Sequence, residues 1–447
     1  MLDGSDSSIG GVCRSPAISL QPAPPIVTSH SQDDIRVDCR CRGAATYAKV
    51  SYPQQYGIYA ELETAEAVMR FNPGGEIVYL RGKGRDWPHP QEWLKRTIGD
   101  DWIYYSTGGY SGVVEAIGEY YLPNTPYPTN SLLGGHPFEL AAVTRLIEAW
   151  PSLLDEAAAR LMPGAPAAVR DFLALAEGCA PTVLRRRAEQ LFAIIGGRVT
   201  VLPPDARHVD YDLVPLHISD GCLYKCRFCR VKTDRPYQDK GWGEIERQIE
   251  DLRRWFGGSR VNYNSLFLGE HDALAADPAM IIAAITRARE VLDLGGSVMA
   301  GGNVFLFGSV DSLLHAPPQL FTELDRLPCS VYINIGLESA DQEALDKLGK
   351  PVAAARVVEA FHRMQEINGR FDRIELTANF VMDELTAGHM PAMLQLLRDS
   401  LPRNRPKGSI YLSPLRVGRP SRSLVMDFYR LKNLSRLPTF LYIIQRL

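Results

Sequence analysis

The feature that most constrains this chain is an alternation of strand-like and helix-like segments that begins near residue 211. Short apolar runs at 213–218, 263–268, 298–307, 331–337, 374–381 and 410–415 read as strands. Between them, 245–256, 278–292, 351–367 and 390–401 carry apolar residues at helical spacing. A last helical stretch covers about 424–446, interrupted near Pro438. Strands separated by helices pair in parallel, with the helices outside. Six strands fall short of the eight that close a barrel. The expected fold class is α/β: a partial (βα)6 TIM-like barrel with a C-terminal helix over 201–447, preceded by an N-terminal α+β module. No segment repeats at a fixed period.

Residues 1–45 are rich in Ser, Pro, Asp and Gly without periodicity and read as a disordered tail. Cys13, Cys39 and Cys41 in it read as incidental thiols. Residues 46–200 form the expected module. Strand-like runs flank Asn72-Pro-Gly-Gly75, which reads as a hairpin, and 138–194 is helical in period. Trp87, Trp93, Trp102, Tyr104, Tyr105, Tyr120, Tyr121 and Tyr127 make the module aromatic. A packed core is the plainer reading of these rings, and a substrate-recognition surface over the barrel mouth is the alternative.

One loop carries the chemistry. After the first strand the chain reads Gly221-Cys-Leu-Tyr-Lys-Cys-Arg-Phe-Cys229, which is C-x3-C-x2-C. Thiolates ligate iron–sulfur cubanes, and short spacings let one loop wrap several corners. Three thiolates leave one position open, as a metal that must bind a further ligand requires. Lys225, Arg227 and Arg230 offset the thiolate charge. In parallel barrels, loops at the carboxyl ends of strands hold the active site. A zinc site completed by a distant residue such as His217 is the other metal reading. Cys179 and Cys329 stand alone, and Cys329, just before the fourth strand, reads as core.

This loop, with Phe228 before the last cysteine, resembles the signature of the radical S-adenosylmethionine (SAM) superfamily. The resemblance implies that Cys222, Cys226 and Cys229 hold a [4Fe–4S] cluster, with SAM chelating the open iron. It also implies reductive cleavage of SAM to a 5′-deoxyadenosyl radical that abstracts a substrate hydrogen. Further matches follow at strand ends. Phe267-Leu-Gly-Glu-His-Asp-Ala-Leu274 is similar to the family's Gly-Gly-Glu segment, with Leu268 in place of the first Gly. Gly269 and Glu270 are carried over as contacts of the SAM amino group, with Asp272 as a rival. Ile335-Gly-Leu-Glu-Ser-Ala-Asp341, followed by Leu345-Asp-Lys-Leu-Gly-Lys350, is similar to the Gly-Leu-Glu-Ser-Gly segment of relatives of coproporphyrinogen oxidase and the methylthiotransferases. There Glu338 and Ser339 are the candidates for the SAM ribose and methionyl parts. A helix-capping role for Ser339 or Asp341 is the plainer alternative. Asn379 and Phe380, and Leu415 or Arg416, lie where the family brings later strands near SAM. The resemblance covers about 205–420 and does not fix a subfamily.

The 447 residues carry a formal net charge of −3, which gives no footprint for duplex nucleic acid. No apolar run approaches the roughly 18 residues of a membrane span. The N-terminus has no secretory pattern, and eight scattered cysteines suit a reducing cytoplasm. The last helix mixes basic and apolar residues; packing on the barrel is favoured over a membrane contact. The expected partners are a small-molecule substrate and an electron donor such as flavodoxin or ferredoxin. No RNA-binding appendage follows the barrel, so nucleic acid is not expected. A non-catalytic SAM- or heme-binding chaperone or sensor on the same fold is the alternative function, and a zinc-stabilised scaffold the third.

Overall fold

The computed structural model describes residues 27–47, 55–108, 113–127, 135–229, 231, 235–415, 422–442 and 447. Cys13, Arg230 and Arg416 lie outside these residues.

The first part is an antiparallel meander. Strands β1 (Thr28–Gln32), β2 (Ile35–Arg42), β3 (Ile58–Glu63), β4 (Ala67–Phe71), β5 (Ile77–Gly82), β6 (Trp93–Arg96), β7 (Trp102–Ser106) and β8 (Leu122–Asn124) pair in chain order. A short helix α1 (Val113–Ile117) precedes β8. The sheet begins inside the segment expected to be a disordered tail, so that expectation is corrected for 28–42. Ile35, Val37 and Cys39 are buried on alternate positions of β2, a period-two signal hidden by the polar residues around it. Gly75, at φ +80°, closes the β4–β5 hairpin, where Asn72 Oδ1 accepts the backbone N–H groups of Gly74 and Glu76.

Helices α2 (Ala141–Leu161), α3 (Ala167–Glu177) and α4 (Pro181–Ile195) cover one face of this sheet. Leu62, Met69, Phe71 and Leu80 pack there against Val143, Trp150, Leu154 and Leu173. The other face carries the rings. Trp93 stacks on Tyr105 at 5.0 Å and meets Tyr121 edge-on at 4.4 Å.

The second part is a seven-stranded parallel sheet. Strand β9 (Val214–Pro215) leads into a small ribbon, β10 (Ser219–Asp220) with β11 (Gln238–Asp239), and then α5 (Trp242–Phe256). The remaining units are β12 (Leu266–Phe267), α6 (Pro278–Val291), β13 (Asn303–Gly308), α7 (Val310–His315), α8 (Pro318–Arg326), β14 (Ser330–Glu338), α9 (Gln342–Leu348), α10 (Ala354–Arg370), β15 (Ile374–Val381), α11 (His389–Leu394), β16 (Ile410–Ser413), α12 (Arg422–Leu434) and β17 (Thr439–Leu441). The strand order β9-β12-β13-β14-β15-β16-β17 is sequential. This is a partial TIM-like barrel, with β9 and β17 as its free edges. The last helix stops at Leu434, and the chain after Pro438 adds a seventh strand beside β16, where the sequence suggested continued helix. A proline cannot continue a helix but can open an edge strand.

Local signals set the helices. Asp277 accepts the N–H groups of Ala279 and Met280 ahead of Pro278, the first residue of α6. Ser309 and Ser312 cap α7 reciprocally. Asp341 caps α9, and Gly349 at φ +64° ends it. Val331, Ile333, Ile335 and Leu337 of β14 are fully buried, because helices cover the outside and side chains fill the inside.

The meander sits under the barrel. Its ring-bearing face and the barrel line a shared cavity, against Asp210, Asp212, Asn262, Tyr263 and Met299. These residues precede β9, β12 and β13, at the amino ends of the strands. Lys95 of β6 reaches Asp210 at 3.0 Å and Asp212 at 2.8 Å there. Among the described residues, none of the module lines the cavity at the carboxyl ends, and its rings pack as the plainer reading of the aromatic residues expected. Only the connection after α4 climbs to that end.

Candidate active site

The cysteine loop leaves β10 at the carboxyl end of the sheet and is fixed at three points. Gly221, at φ +74°, lies so close to the Pro236 backbone that a Cβ would not fit. The Tyr224 hydroxyl donates to Asp311 Oδ2 at 2.7 Å and accepts the Asp311 N–H at the start of α7. Arg227 N–H donates to Leu348 O at 3.0 Å, and its guanidinium donates to Asp346 O at 2.6 Å. Arg227 thereby satisfies carbonyls at the end of α9, a favourable place for a cation. Its charge serves this helix end, while the sequence suggested the thiolates.

Cys222, Cys226, Phe228 and Cys229 line one cavity, open at its mouth. Glu270 and Asp272 after β12, Glu338 of β14, Lys350 after α9, Asn379 of β15 and Leu415 after β16 complete its wall. Every contributing strand does so from its carboxyl end. Cys39, Cys41, Cys179 and Cys329 are elsewhere, and none of the seven described cysteines is in a disulfide. Among the described residues the cavity therefore offers three thiols and no fourth, which fits a cubane with one iron left open toward the cavity. Among the described residues, no three His, Cys, Asp or Glu side chains form a ready single-ion site.

Charge in the cavity is arranged around Lys350. Its Nζ stands 5.2 Å from the centre of the Tyr224 ring, and it makes no hydrogen bond or ion pair among the described residues. Burial pushes all three thiols up, Cys226 to about 11, while Lys350 pulls each of them down. Burial likewise raises Glu338, with Lys350 opposing. A Cβ on Gly336 would lie 2.7 Å from Glu338 Oε1 and 3.5 Å from Lys350 Nζ, so glycine leaves room for both.

The two acidic residues after β12 differ sharply. Glu270 Oε1 accepts the N–H of Thr200 at 2.5 Å and of Val201 at 3.0 Å, and also the Thr200 hydroxyl. Asp272 is 3% exposed; its Oδ1 accepts the Ser309 N–H at 3.0 Å, and among the described residues its Oδ2 has no hydrogen-bond partner. Burial raises its pKa above the usual carboxylate value. The orphaned oxygen belongs to the rival residue. Gly269 takes φ +127°, open to glycine, and turns the chain without lining the cavity.

Ser339 does not reach the cavity either. It is fully buried, and its Oγ is 2.7 Å from His389 Nδ1. Asp341, two residues on, takes the capping role. Asn379 and Leu415 line the cavity, while Phe380 points into the core. Sequence reading passed over Lys350 and Tyr442, which also lines the cavity and donates to Leu202 O at 3.0 Å. A lysine just past a Gly-capped helix at a barrel's carboxyl end was the available signal for the first; Tyr442 follows a strand that was read as helix.

Residues 216–397 match the family model described as the radical SAM superfamily. No curated protein matches the chain. Among solved structures, the chain is similar to the cobalamin-dependent S-adenosylmethionine radical enzyme OxsB (18% identity, TM-score 0.31, 41% of this chain and 26% of that one). It is also similar to a radical SAM methyltransferase from Sphaerobacter thermophilus (19%, TM-score 0.33, 52% and 65%). A third is methylornithine synthase, PylB (13%, TM-score 0.33, 57% and 68%). The chain thus spans less than two thirds of the length of the first two.

Proposed function

We propose that this chain, which carries a radical SAM domain at residues 216–397, is an enzyme that opens radical chemistry on a small-molecule substrate. The cavity that gathers three thiols, a buried ammonium and a carboxylate oxygen with no partner carries this reading. Cys222, Cys226 and Cys229 would hold the [4Fe–4S] cluster. Bound there, the cluster and SAM supply one electron and a carbon radical that removes a substrate hydrogen.

The chain's own residues bind and orient. SAM carries an amino acid zwitterion, and the cavity holds the complementary pair. Lys350 would hold its carboxylate, and Asp272 with Glu338 its ammonium, through charge-assisted hydrogen bonds. Glu270, already held by Thr200 and Val201, braces the wall instead. Phe228 offers an aromatic face, and Asn379 a polar edge, to the adenosyl end. On the outer side of the cysteine loop, Leu223 is 44% exposed beside exposed Lys225 and Arg227. That surface suits an acidic electron donor of the flavodoxin or ferredoxin kind. No described helix is long and apolar enough to cross a membrane; with no disulfide among the seven described cysteines, we place the protein in the cytoplasm.

Anaerobic reconstitution tests this. The expected result is about four irons per chain and release of 5′-deoxyadenosine from SAM with dithionite. Cys226→Ala should lose both. Full iron content and SAM cleavage in Cys226→Ala overturns the assignment. SAM that binds but is never cleaved, with any reductant, selects a chaperone or sensor instead.

A further inference from the structure

The end of β14 is unusual. Its register with β15 runs evenly to Gly336 opposite Asn379 and then slips, so that Glu338 pairs with Phe380. Ser339 N–H donates to Leu337 O at 2.8 Å across Glu338, which has φ +65°. A three-residue turn with positive φ at its centre is the strained form, and a glutamate seldom adopts it. The slip matters, because side chains alternate faces along a strand and a bulge re-aims them. Here it aims the Glu338 carboxylate over Gly336 into the cavity.

Something must hold that turn, and the adjacent residue is held from one side. His389 is fully buried, with Nδ1 2.7 Å from Ser339 Oγ and Nε2 3.0 Å from Val381 O. A carbonyl only accepts, so Nε2 carries the proton, Nδ1 accepts, and the Ser339 hydroxyl donates. Burial keeps the imidazole neutral in support of this. Ser339 Oγ also accepts the Asp341 N–H at 3.0 Å. Thr386 fixes the other side: its Oγ1 accepts the His389 N–H at 3.1 Å and donates to Asp341 Oδ2 at 2.7 Å. The ring is thus tied to the ends of β14 and β15 at once.

We propose that His389 is a positioning residue, which through Ser339 holds the strained turn that aims Glu338 into the cofactor cavity. Ser339 then acts by orienting Glu338 and touches no ligand. The inference rests on the reading of the cavity as a SAM site, but the turn itself is visible without SAM. Without the Ser339–His389 bond, the turn relaxes to negative φ and the carboxylate leaves the cavity.

Three variants decide. Ser339→Ala removes the donor with little change in volume. His389→Asn keeps an acceptor at the Nδ1 position, and His389→Leu removes it. In a crystal structure of cluster-free Ser339→Ala, Glu338 should show negative φ with its carboxylate out of the cavity. Reconstituted Ser339→Ala and His389→Leu should keep wild-type iron and sulfide, lose SAM affinity about tenfold or more, the scale on which outer-shell partners act, and show a weaker SAM-induced change in the electron paramagnetic resonance spectrum of the reduced cluster. His389→Asn should recover most of the affinity. Glu338 still at positive φ in Ser339→Ala overturns the proposal, as does unchanged SAM affinity in that variant. Should His389→Leu not fold, Ser339→Ala and His389→Asn carry the test. A wild-type chain that fails to bind SAM overturns the cofactor reading, and the cluster-free structure still judges the turn.

Discussion

Replacing Asp272 with Asn should raise the stability of the cluster-free chain while weakening SAM binding, and the opposite signs make it informative. Asp272 is 3% exposed and its Oδ2 has no partner. A buried polar atom left unpaired costs about 1–3 kcal/mol. Asn keeps the acceptor for the Ser309 N–H and removes the charge. The amide nitrogen is itself a buried donor without a partner there, so only the extra cost of the charge is relieved, and at roughly 2–4 °C of midpoint per kcal/mol in a domain of this size the gain should be a few °C. Its pH dependence follows from burial, which raises the folded-state value above the usual 3.8. The folded state then holds the proton more tightly than the unfolded chain, so stability falls as pH rises through the raised value. The advantage of Asp272→Asn should therefore be small near pH 4 and full near neutrality. SAM affinity should fall roughly ten- to hundredfold, the loss of one charge-assisted hydrogen bond of about 1.5–3 kcal/mol. Differential scanning fluorimetry of the cluster-free chain at both pH values, with equilibrium binding of SAM to the reconstituted protein, measures the two effects. Lower stability at neutral pH, or unchanged SAM affinity, refutes the reasoning.

Lys350→Met should retain iron but lose SAM affinity by roughly tenfold or more, read by the same binding assay. Gly336→Ala places a Cβ 2.7 Å from Glu338 Oε1 and should also weaken SAM binding with cluster content intact, seen by comparing iron analysis with binding. Arg227→Ala removes the guanidinium bond to Asp346 O, one of the two ties between the cysteine loop and the end of α9, and should shorten the lifetime of the reconstituted cluster, followed by its visible absorbance. Asp205, fully buried against Thr377 and Tyr411, is raised from 3.8 to about 6 mainly by burial. Wild-type stability should thus decline between those values relative to Asp205→Asn, which chemical denaturation at pH 4 and pH 7 would show.

What the sequence carried was local. The cysteine spacing, the six central strands and the acidic residues after β12 and β14 are written in segments of fewer than about ten residues, the range over which periodicity and turn chemistry act. What it hid depends on distant partners. Glu270 looks like a ligand residue until Thr200, 70 residues away, occupies one of its oxygens. Ser339 looks like one until His389, 50 residues away, takes its hydroxyl. Strand β2 was concealed because only three of its residues face a core that α3 and its neighbours complete. Strand β17 was concealed because its three residues follow a helix and gain their role only beside β16.

The two carboxylates after β12 show how such cases can be decided. Both stand at the right strand end, and the motif favours the first. A carboxylate whose oxygen already accepts three donors gains little from an ammonium, since an exchange of good bonds is nearly neutral. A buried oxygen with no partner gains the full bond and is relieved of its desolvation cost. By that difference Asp272, which lines the same cavity as Glu338 and Lys350, is the stronger candidate in the proposed site for an amino acid headgroup. Glu270 instead fastens the connection from α4 to the barrel, so that the lower module is joined to the cofactor cavity through Thr200 and Val201. A Thr200→Val exchange, which removes one of the three donors and leaves both backbone bonds, should for this reason lower thermal stability by about 1 kcal/mol and leave SAM affinity within about twofold. A large loss of affinity with unchanged stability would return Glu270 to the ligand.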